Sequence, residues 1–263
     1  RDFVKMIYDK APEDQKPKYL LLFGDGSYDY KDRIEIFSNF VPTFQSSESL
    51  RMAQSYVCDD FFGLLDENEG QNADGTLDIG VGRLPVNSVD EANNVINKIQ
   101  IYASESQAVM GDWRNRICFI ADDEGKNAYI NHAEELDNII QAEQDVLNVN
   151  KIYLDAFQQI KGIYGERYPE VNKAINEQVE EGAFIIDYIG HGSEVGWSDE
   201  HVLEISDIIN WKNINKLPMF MTATCEFSRY DNPGMKSAGE IMFLSPNGGA
   251  IALITTTRLA FST

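Results

Sequence analysis

Cationic residues are scarce in this chain of 263 residues: 22 lysines and arginines stand against 43 aspartates and glutamates, a formal charge of −21. With the acidic residues spread along the whole length, that balance argues against a nucleic-acid binder and against adhesion to an anionic membrane, and it favours solubility. Cysteine is scarce too. Cys58, Cys118 and Cys225 cannot pair completely, so no disulfide framework carries the fold. No CxxC or HExxH spacing occurs, which leaves no metal-ligand motif of a familiar kind. There is no run of 18 apolar residues, so no transmembrane helix is expected. Gly24-Asp25-Gly26 follows an apolar run, but neither GxxxxGK[ST] nor GxGxxG accompanies it, which excludes nucleotide binding. The chain starts at Arg1 without a methionine or signal peptide and stops at Phe261-Ser262-Thr263, so it is expected to be an excised piece of a longer polypeptide.

What is present is an alternation of strand and helix signals, the pattern of a mostly parallel sheet with helices on its faces. Tyr19 to Phe23 reads as a buried strand, and Leu77 to Val81 as another that ends at Gly82-Arg83-Leu84-Pro85. Ser88-Val89-Asp90-Glu91 matches a capping box, and Ala92, Val95, Ile96 and Ile99 extend it as a helical stripe to about Ala103. The polar stretch from Ser104 to Asp112 reads as a link between two lobes, an N-terminal α/β subdomain over 1–108 and a C-terminal one over 109–263. The second lobe begins with a strand from Arg116 to Ala121, a helix from Ala128 to Glu143, a short strand from Lys151 to Leu154 and a helix from Pro169 to Glu181. A strand to Ile189, a short helix over Ile205 to Trp211 and a strand to Thr224 follow, then a helix near Ser237 to Leu244 and a last strand from Ala250 to Thr255. Asp66 to Asp78 is expected to be a solvated hairpin or loop.

Two of these apolar runs end in reactive groups. Ala183-Phe184-Ile185-Ile186-Asp187-Tyr188-Ile189 breaks into Gly190-His191-Gly192-Ser193, and Met219-Phe220-Met221-Thr222-Ala223-Thr224 stops at Cys225. If both strands lie parallel in one sheet, their carboxyl ends face the edge where open α/β sheets collect ligands. An imidazole and a thiol would then sit side by side, the makings of a cysteine nucleophile with a histidine base. A free thiol is only a few per cent ionised at neutral pH, and an adjacent base is worth roughly a hundred- to ten-thousandfold in rate. Gly190 and Gly192 suit a tight turn with close backbone approach, and the N–H groups of Gly192 and Cys225 can hold an oxyanion.

The remaining candidates have plainer readings. Cys118, inside Ile117-Cys118-Phe119-Ile120-Ala121, reads as a small buried hydrophobe, and Cys58 as structural. His132 reads as a helix residue and His201 as a loop residue. Trp197 either walls a substrate pocket or caps the core under the His191 loop. Asp59, Asp60, Asp66, Glu67 and Asp78 offer hard oxygen ligands of the kind calcium takes, without an EF-hand spacing. The dyad chemistry itself requires no cofactor.

Asp187-Tyr188-Ile189-Gly190-His191-Gly192-Ser193-Glu194, followed by Trp197, closely resembles the histidine motif of the gingipain family of cysteine peptidases, in clan CD. Phe220 to Cys225 resembles that family's cysteine motif, and Tyr56 to Gly63 and Asp78 to Pro85 resemble its first subdomain. The resemblance runs from about Tyr19 to Thr256. It implies a caspase-like α/β fold, mostly parallel sheets flanked by helices in two side-by-side subdomains. It makes Cys225 the nucleophile, His191 the proton shuttle, and Gly192 and Cys225 the donors of the oxyanion hole. It also implies an acidic residue after the Ile117 to Ala121 strand that orients the histidine: Glu124, with Asp122 and Asp123 as rivals. In arginine-specific members an aspartate in the following helix reads the substrate's cation. The position that lines up here is Tyr129, and a phenol cannot pair bidentately with a guanidinium.

That departure, and the run Asp59-Asp60-Phe61-Phe62-Gly63-Leu64-Leu65, are more similar to the PorU branch, the sortases of the type IX secretion system. Members of that branch remove the C-terminal signal of secreted proteins and pass the acyl group to a lipopolysaccharide amine. The resemblance thus implies a cysteine peptidase or transpeptidase at the cell surface, on the extracellular face of the outer membrane, or secreted. Its partners would be protein substrates with C-terminal secretion signals, a lipopolysaccharide amine acceptor and other secretion-system proteins. The family's use of calcium bears on the acidic residues named above. Two alternatives stand beside this reading: an ordinary secreted endopeptidase without arginine specificity, and a catalytically silent binding subunit of a secretion complex.

Overall fold

The computed structural model describes residues 1–47, 55–144, 146–163 and 165–260, so the terminal Phe261-Ser262-Thr263 lies outside the described residues. The chain forms two compact units, one of Arg1–Val89 with Tyr230–Met235 and one of Asp90–Arg229 with Lys236–Thr263.

The first unit contains α1 (Asp2–Lys10) and the strands β1 (Tyr19–Phe23), β2 (Phe44–Gln45), β3 (Val57–Cys58) and β4 (Gly80–Leu84). β1 and β4 pair in parallel, Tyr19 opposite Gly80 and Phe23 opposite Leu84. The sequence placed this second strand three residues earlier, over Leu77 to Val81. Asp78 is instead held in the preceding loop, where its N–H donates to Gly63 O and its carboxylate accepts the Leu65 N–H. β4 also tolerates what strand propensity disfavours, because a side chain at Gly80 would come within 2.9 Å of the Tyr19 ring. Between Asp66 and Asp78 there are turns and no strand. Arg83 is the polar centre of this unit. Its guanidinium forks onto both carboxylate oxygens of Asp59 at 2.6 and 2.7 Å, donates to Gly24 O and Val41 O, and lies over the Tyr230 ring. A buried cation is tolerable only with such full pairing.

The second unit runs α2 (Val89–Tyr102), β5 (Arg116–Ala121), α3 (Ala128–Glu143), β6 (Asn148–Tyr153), the hairpin β7 (Ile160–Gly162) and β8 (Gly165–Arg167), α4 (Pro169–Glu181) and β9 (Ile185–Ile189). A small antiparallel sheet of β10 (Gly192–Ser193), β11 (Gly196–Trp197) and β12 (Leu203–Glu204) comes next. α5 (Ile205–Ile208), β13 (Met219–Ala223), α6 (Ala238–Leu244) and β14 (Ala252–Ile254) complete it. The division at Val89 differs from the link read over 104–112, and α2 shows why. The Lys98 side chain of α2, 1% exposed, donates to the carbonyls of Phe243 and Gly248, which fastens the helix to the second unit.

The main sheet has the order β14-β13-β9-β5-β6, every pair parallel. On one face Cys118, Ile120, Ile186, Tyr188 and Phe220 pack with Val171, Ile175 and Val179 of α4 and Met242 of α6. On the other, Ile117, Phe119, Ala121 and Ile189 pack with Ala133 of α3. Strands covered on both faces read as continuous apolar runs, which is why β5 and β9 are plain in the sequence. β5 lies between β6 and β9, so the winding direction reverses there. Such a reversal opens a crevice at the carboxyl ends of the two strands.

Candidate active site

Ala121, Ile189 and Ala223 lie opposite one another across β5, β9 and β13, so the residues that follow them leave the sheet at one edge. Backbone bonds tie the three exits: Asp122 N–H donates to Ile189 O at 3.0 Å, and Gly190 N–H to Ala223 O at 3.3 Å. The glycines around His191 are set by close approach, since neither has a left-handed φ. A Cβ on Gly190 would run into the Asp122 side chain, and one on Gly192 would stand 2.5 Å from Thr224 Oγ1. Gly192 therefore rests on the residue before Cys225, and the histidine and cysteine loops touch.

The three acidic rivals have separate places. Glu124 Oε2 is 3.3 Å from His191 Nε2. Asp122, 1% exposed, lies beneath the loop, where Oδ2 accepts the His191 N–H at 2.9 Å and Oδ1 the Glu124 N–H at 3.2 Å. Asp123 turns away and accepts the Tyr168 hydroxyl. Burial raises the Asp122 pKa against the pull of its two N–H donors. Glu124 is raised as well, by desolvation and then by Asp122, with His191 opposing. Tyr129 Oη lies 3.3 Å from the same His191 Nε2, its ring edge-on to the imidazole with centroids 5.6 Å apart. His191 Nδ1 has no hydrogen bond among the described residues. The His191 carbonyl accepts the Tyr188 hydroxyl at 2.6 Å and the Ser198 N–H at 2.8 Å, which fixes the loop from below.

Gly125, Lys126 and Asn127 follow Glu124 with φ of 66, 56 and 65°, three left-handed residues in succession. Glycine takes that conformation freely and asparagine tolerates it, whereas for Lys126 it costs about 1 kcal/mol. The bend brings Glu124 on one side of it and Tyr129 on the other to one imidazole. Cys225 is half-buried, and among the described residues its Sγ hydrogen-bonds to the backbone of Ala260, 3.4 Å from N and 3.5 Å from O. Cys118 is fully buried and its thiol is pushed up to about 12 by that burial, so it stays protonated and inert. Burial raises Cys58 too.

Residues 1–263 match the model of peptidase family C25. The chain belongs to peptidase family C25. Its fold is that of the gingipains: the crystal structure of "the Arg specific cysteine proteinase gingipain R (RGPB)" superposes with a TM-score of 0.72 at 20% identity, covering 99% of this chain and 52% of that one. The complex of the pro- and mature domains of RgpB from Porphyromonas gingivalis gives 0.72 and 20%, over 98% and 53%. A third structure, described as a protease, gives 0.68 and 17%, over 99% and 50%. The C25 chain thus spans about half the length of the structures it resembles. No curated protein matches its sequence significantly.

One expected substrate contact of this C25 chain needs correcting. Trp197 is 0% exposed, stacked on Tyr188 with centroids 4.3 Å apart and tilted against Phe220 and Phe227. It presents no surface to a substrate and forms the core under the His191 loop. His132 is exposed on α3, and His201 pairs with Glu204, so neither joins the site. The five residues considered for calcium form no common cluster among the described residues: Asp59 is committed to Arg83, and Asp78 to the Leu65 N–H. The carboxylates that converge are Asp122, Asp123 and Glu200, with ligand atoms within 4.8 Å of one another. Their oxygens already accept from backbone, Tyr168, Ser198 and Gln159 donors, save Asp123 Oδ1. That donor set suits a hydrogen-bonded floor more than a calcium cage, which takes six to eight oxygens.

The strand that leads to His191 carries a pH signature. Asp187, 6% exposed on the α3 face of β9, has its carboxyl pushed up to about 6 by burial. Its folded pKa lies above the unfolded one, so the native state holds the proton more tightly. The stability this gives is complete at acid pH and is lost as pH rises from about 4 through 6. Asp187→Asn is therefore expected to stabilise the protein at pH 8 by on the order of 2–3 kcal/mol, and by about 1 kcal/mol less at pH 5. Denaturant midpoints at the two pH values check this, and an equal effect at both would contradict it.

Proposed function

We propose that this chain holds the catalytic centre of a cysteine peptidase that also acts as a transpeptidase, a sortase of the type IX secretion system. The observation that carries the reading is the close approach of Gly192 to Thr224, the residues next to His191 and Cys225, at the carboxyl edge of the sheet. In the proposed reaction the Cys225 thiol passes its proton to His191 Nδ1 and attacks the scissile carbonyl carbon. The C–S bond forms, the C–N bond breaks, and the imidazolium gives its proton to the departing amine. Glu124 steadies the imidazolium through Nε2, and the N–H groups of Gly192 and Cys225 take the oxyanion. The Cys225 N–H has no partner among the described residues. Water resolves the thioester to an acid, and an amine resolves it to an amide.

Specificity for arginine is not part of the proposal, because Tyr129 brings no charge to the position where arginine-specific members carry an aspartate. Substrates would be secreted proteins with C-terminal signals, and the acceptor a lipopolysaccharide amine. The site of action would be the cell surface, among other secretion-system proteins. None of these steps uses a cofactor. Incubating the protein with peptides that span such signal junctions, with and without a simple amine, tests the reading by mass spectrometry. Amide adducts that disappear in Cys225→Ala are expected. Hydrolysis without adducts would reduce the proposal to an endopeptidase, and no Cys225-dependent product from folded protein would replace it with a binding subunit.

A further inference from the structure

His191 Nε2 has two oxygen partners at the same distance, Glu124 Oε2 and Tyr129 Oη, each at 3.3 Å. Nδ1 has none among the described residues. A neutral imidazole carries one N–H; the Glu124 carboxylate can only accept and so favours the tautomer with the hydrogen on Nε2, toward which the Tyr129 hydroxyl then also acts as an acceptor. The Tyr129 ring is itself seated. A Cβ on Gly125 would stand 3.2 Å from its Cε2, and the imidazole meets its edge at an interplanar angle of 86°. Desolvation, then the neighbouring Asp122, Cys225 and Glu124, raise the phenol's pKa, so it stays a neutral hydroxyl at working pH.

We propose that Tyr129 is a positioning residue for His191: its hydroxyl and the Glu124 carboxylate share the Nε2–H, which leaves the Nδ1 lone pair for the Cys225 thiol. The proposal rests on the dyad reading above. At the position where the arginine-specific members read a substrate cation, this chain supports its own base. A substrate side chain that displaced Tyr129 would loosen the imidazole, so selection falls on side chains that leave the phenol in place.

The test uses protein labelled with 15N in histidine, with the His191 signals assigned by their loss in His191→Ala. Long-range proton–nitrogen spectra between pH 6 and 9 are expected to show the Nε2–H tautomer in the wild type and a mixture in Tyr129→Phe, which keeps the ring and removes only the hydroxyl. The rate of Cys225 alkylation by iodoacetamide at neutral pH is expected to fall about three- to tenfold in the same variant, the worth of one net hydrogen bond. An unchanged tautomer in Tyr129→Phe overturns the proposal, whatever the alkylation rate does. If His191→Ala leaves the alkylation rate and its pH profile unchanged, the dyad reading fails instead, and the tautomer spectrum still decides the role of Tyr129.

Discussion

Cys225→Ala is expected to lower peptide turnover by at least about 10⁴-fold, because the proposed thioester step has no other nucleophile. The same change should leave the unfolding free energy within about 0.5 kcal/mol of wild type. The thiol sits at a half-buried strand end, bonded to the Ala260 backbone, so its removal opens no cavity in the core. Cys118→Ala is the informative contrast. That side chain is fully buried in the core on the α4 face of the sheet, and its loss should cost stability while turnover per folded molecule stays unchanged. Turnover of a cleaved peptide alongside a denaturant titration separates the two variants. Normal turnover in Cys225→Ala would refute the mechanism.

The second large effect lies away from the reacting groups. Trp197→Ala is expected to destabilise the protein by about 3–5 kcal/mol, the usual cost of emptying a large aromatic site in a core. The indole is stacked on Tyr188 and touches Phe220 and Phe227, so three strands or loops lose a common partner. Trp197 also pairs with Gly192 across β10 and β11, and Gly192 is the residue that rests on the cysteine loop. Turnover should therefore decline at temperatures below the unfolding midpoint, and Trp197→Phe should recover part of both losses. Denaturant midpoints and turnover against temperature measure the two components. A Trp197→Ala protein of wild-type stability with a raised KM alone would restore the pocket-wall reading.

β5, β9 and β13 were legible because parallel strands buried on both faces must be apolar throughout, and their endings at Asp122, Gly190 and Cys225 were abrupt. β4 was legible only with an offset, since Gly80 and Gly82 weaken the propensity signal that marks a strand. The sheet of β10, β11 and β12 was not legible at all. Two-residue strands carry no periodicity, so nothing in the sequence decided whether Trp197 faced substrate or core. In the acidic loop, Asp122-Asp123-Glu124-Gly125 is three acidic residues followed by a glycine, and a buried carboxylate that takes backbone donors looks there like a solvated one. The three left-handed residues that aim Glu124 and Tyr129 leave only two marks in the sequence, Gly125 and Asn127. The reach of both side chains to one nitrogen follows from backbone angles, and residue types alone do not encode it.

Asp122 divides the labour at this edge between main chain and side chain. By taking one N–H from the residue that carries the imidazole and one from the residue that carries the acid, it fixes both loops without using either functional group. A side-chain change at 124 or 129 is thus expected to alter the support of the imidazole while the main chain of both loops stays where it is.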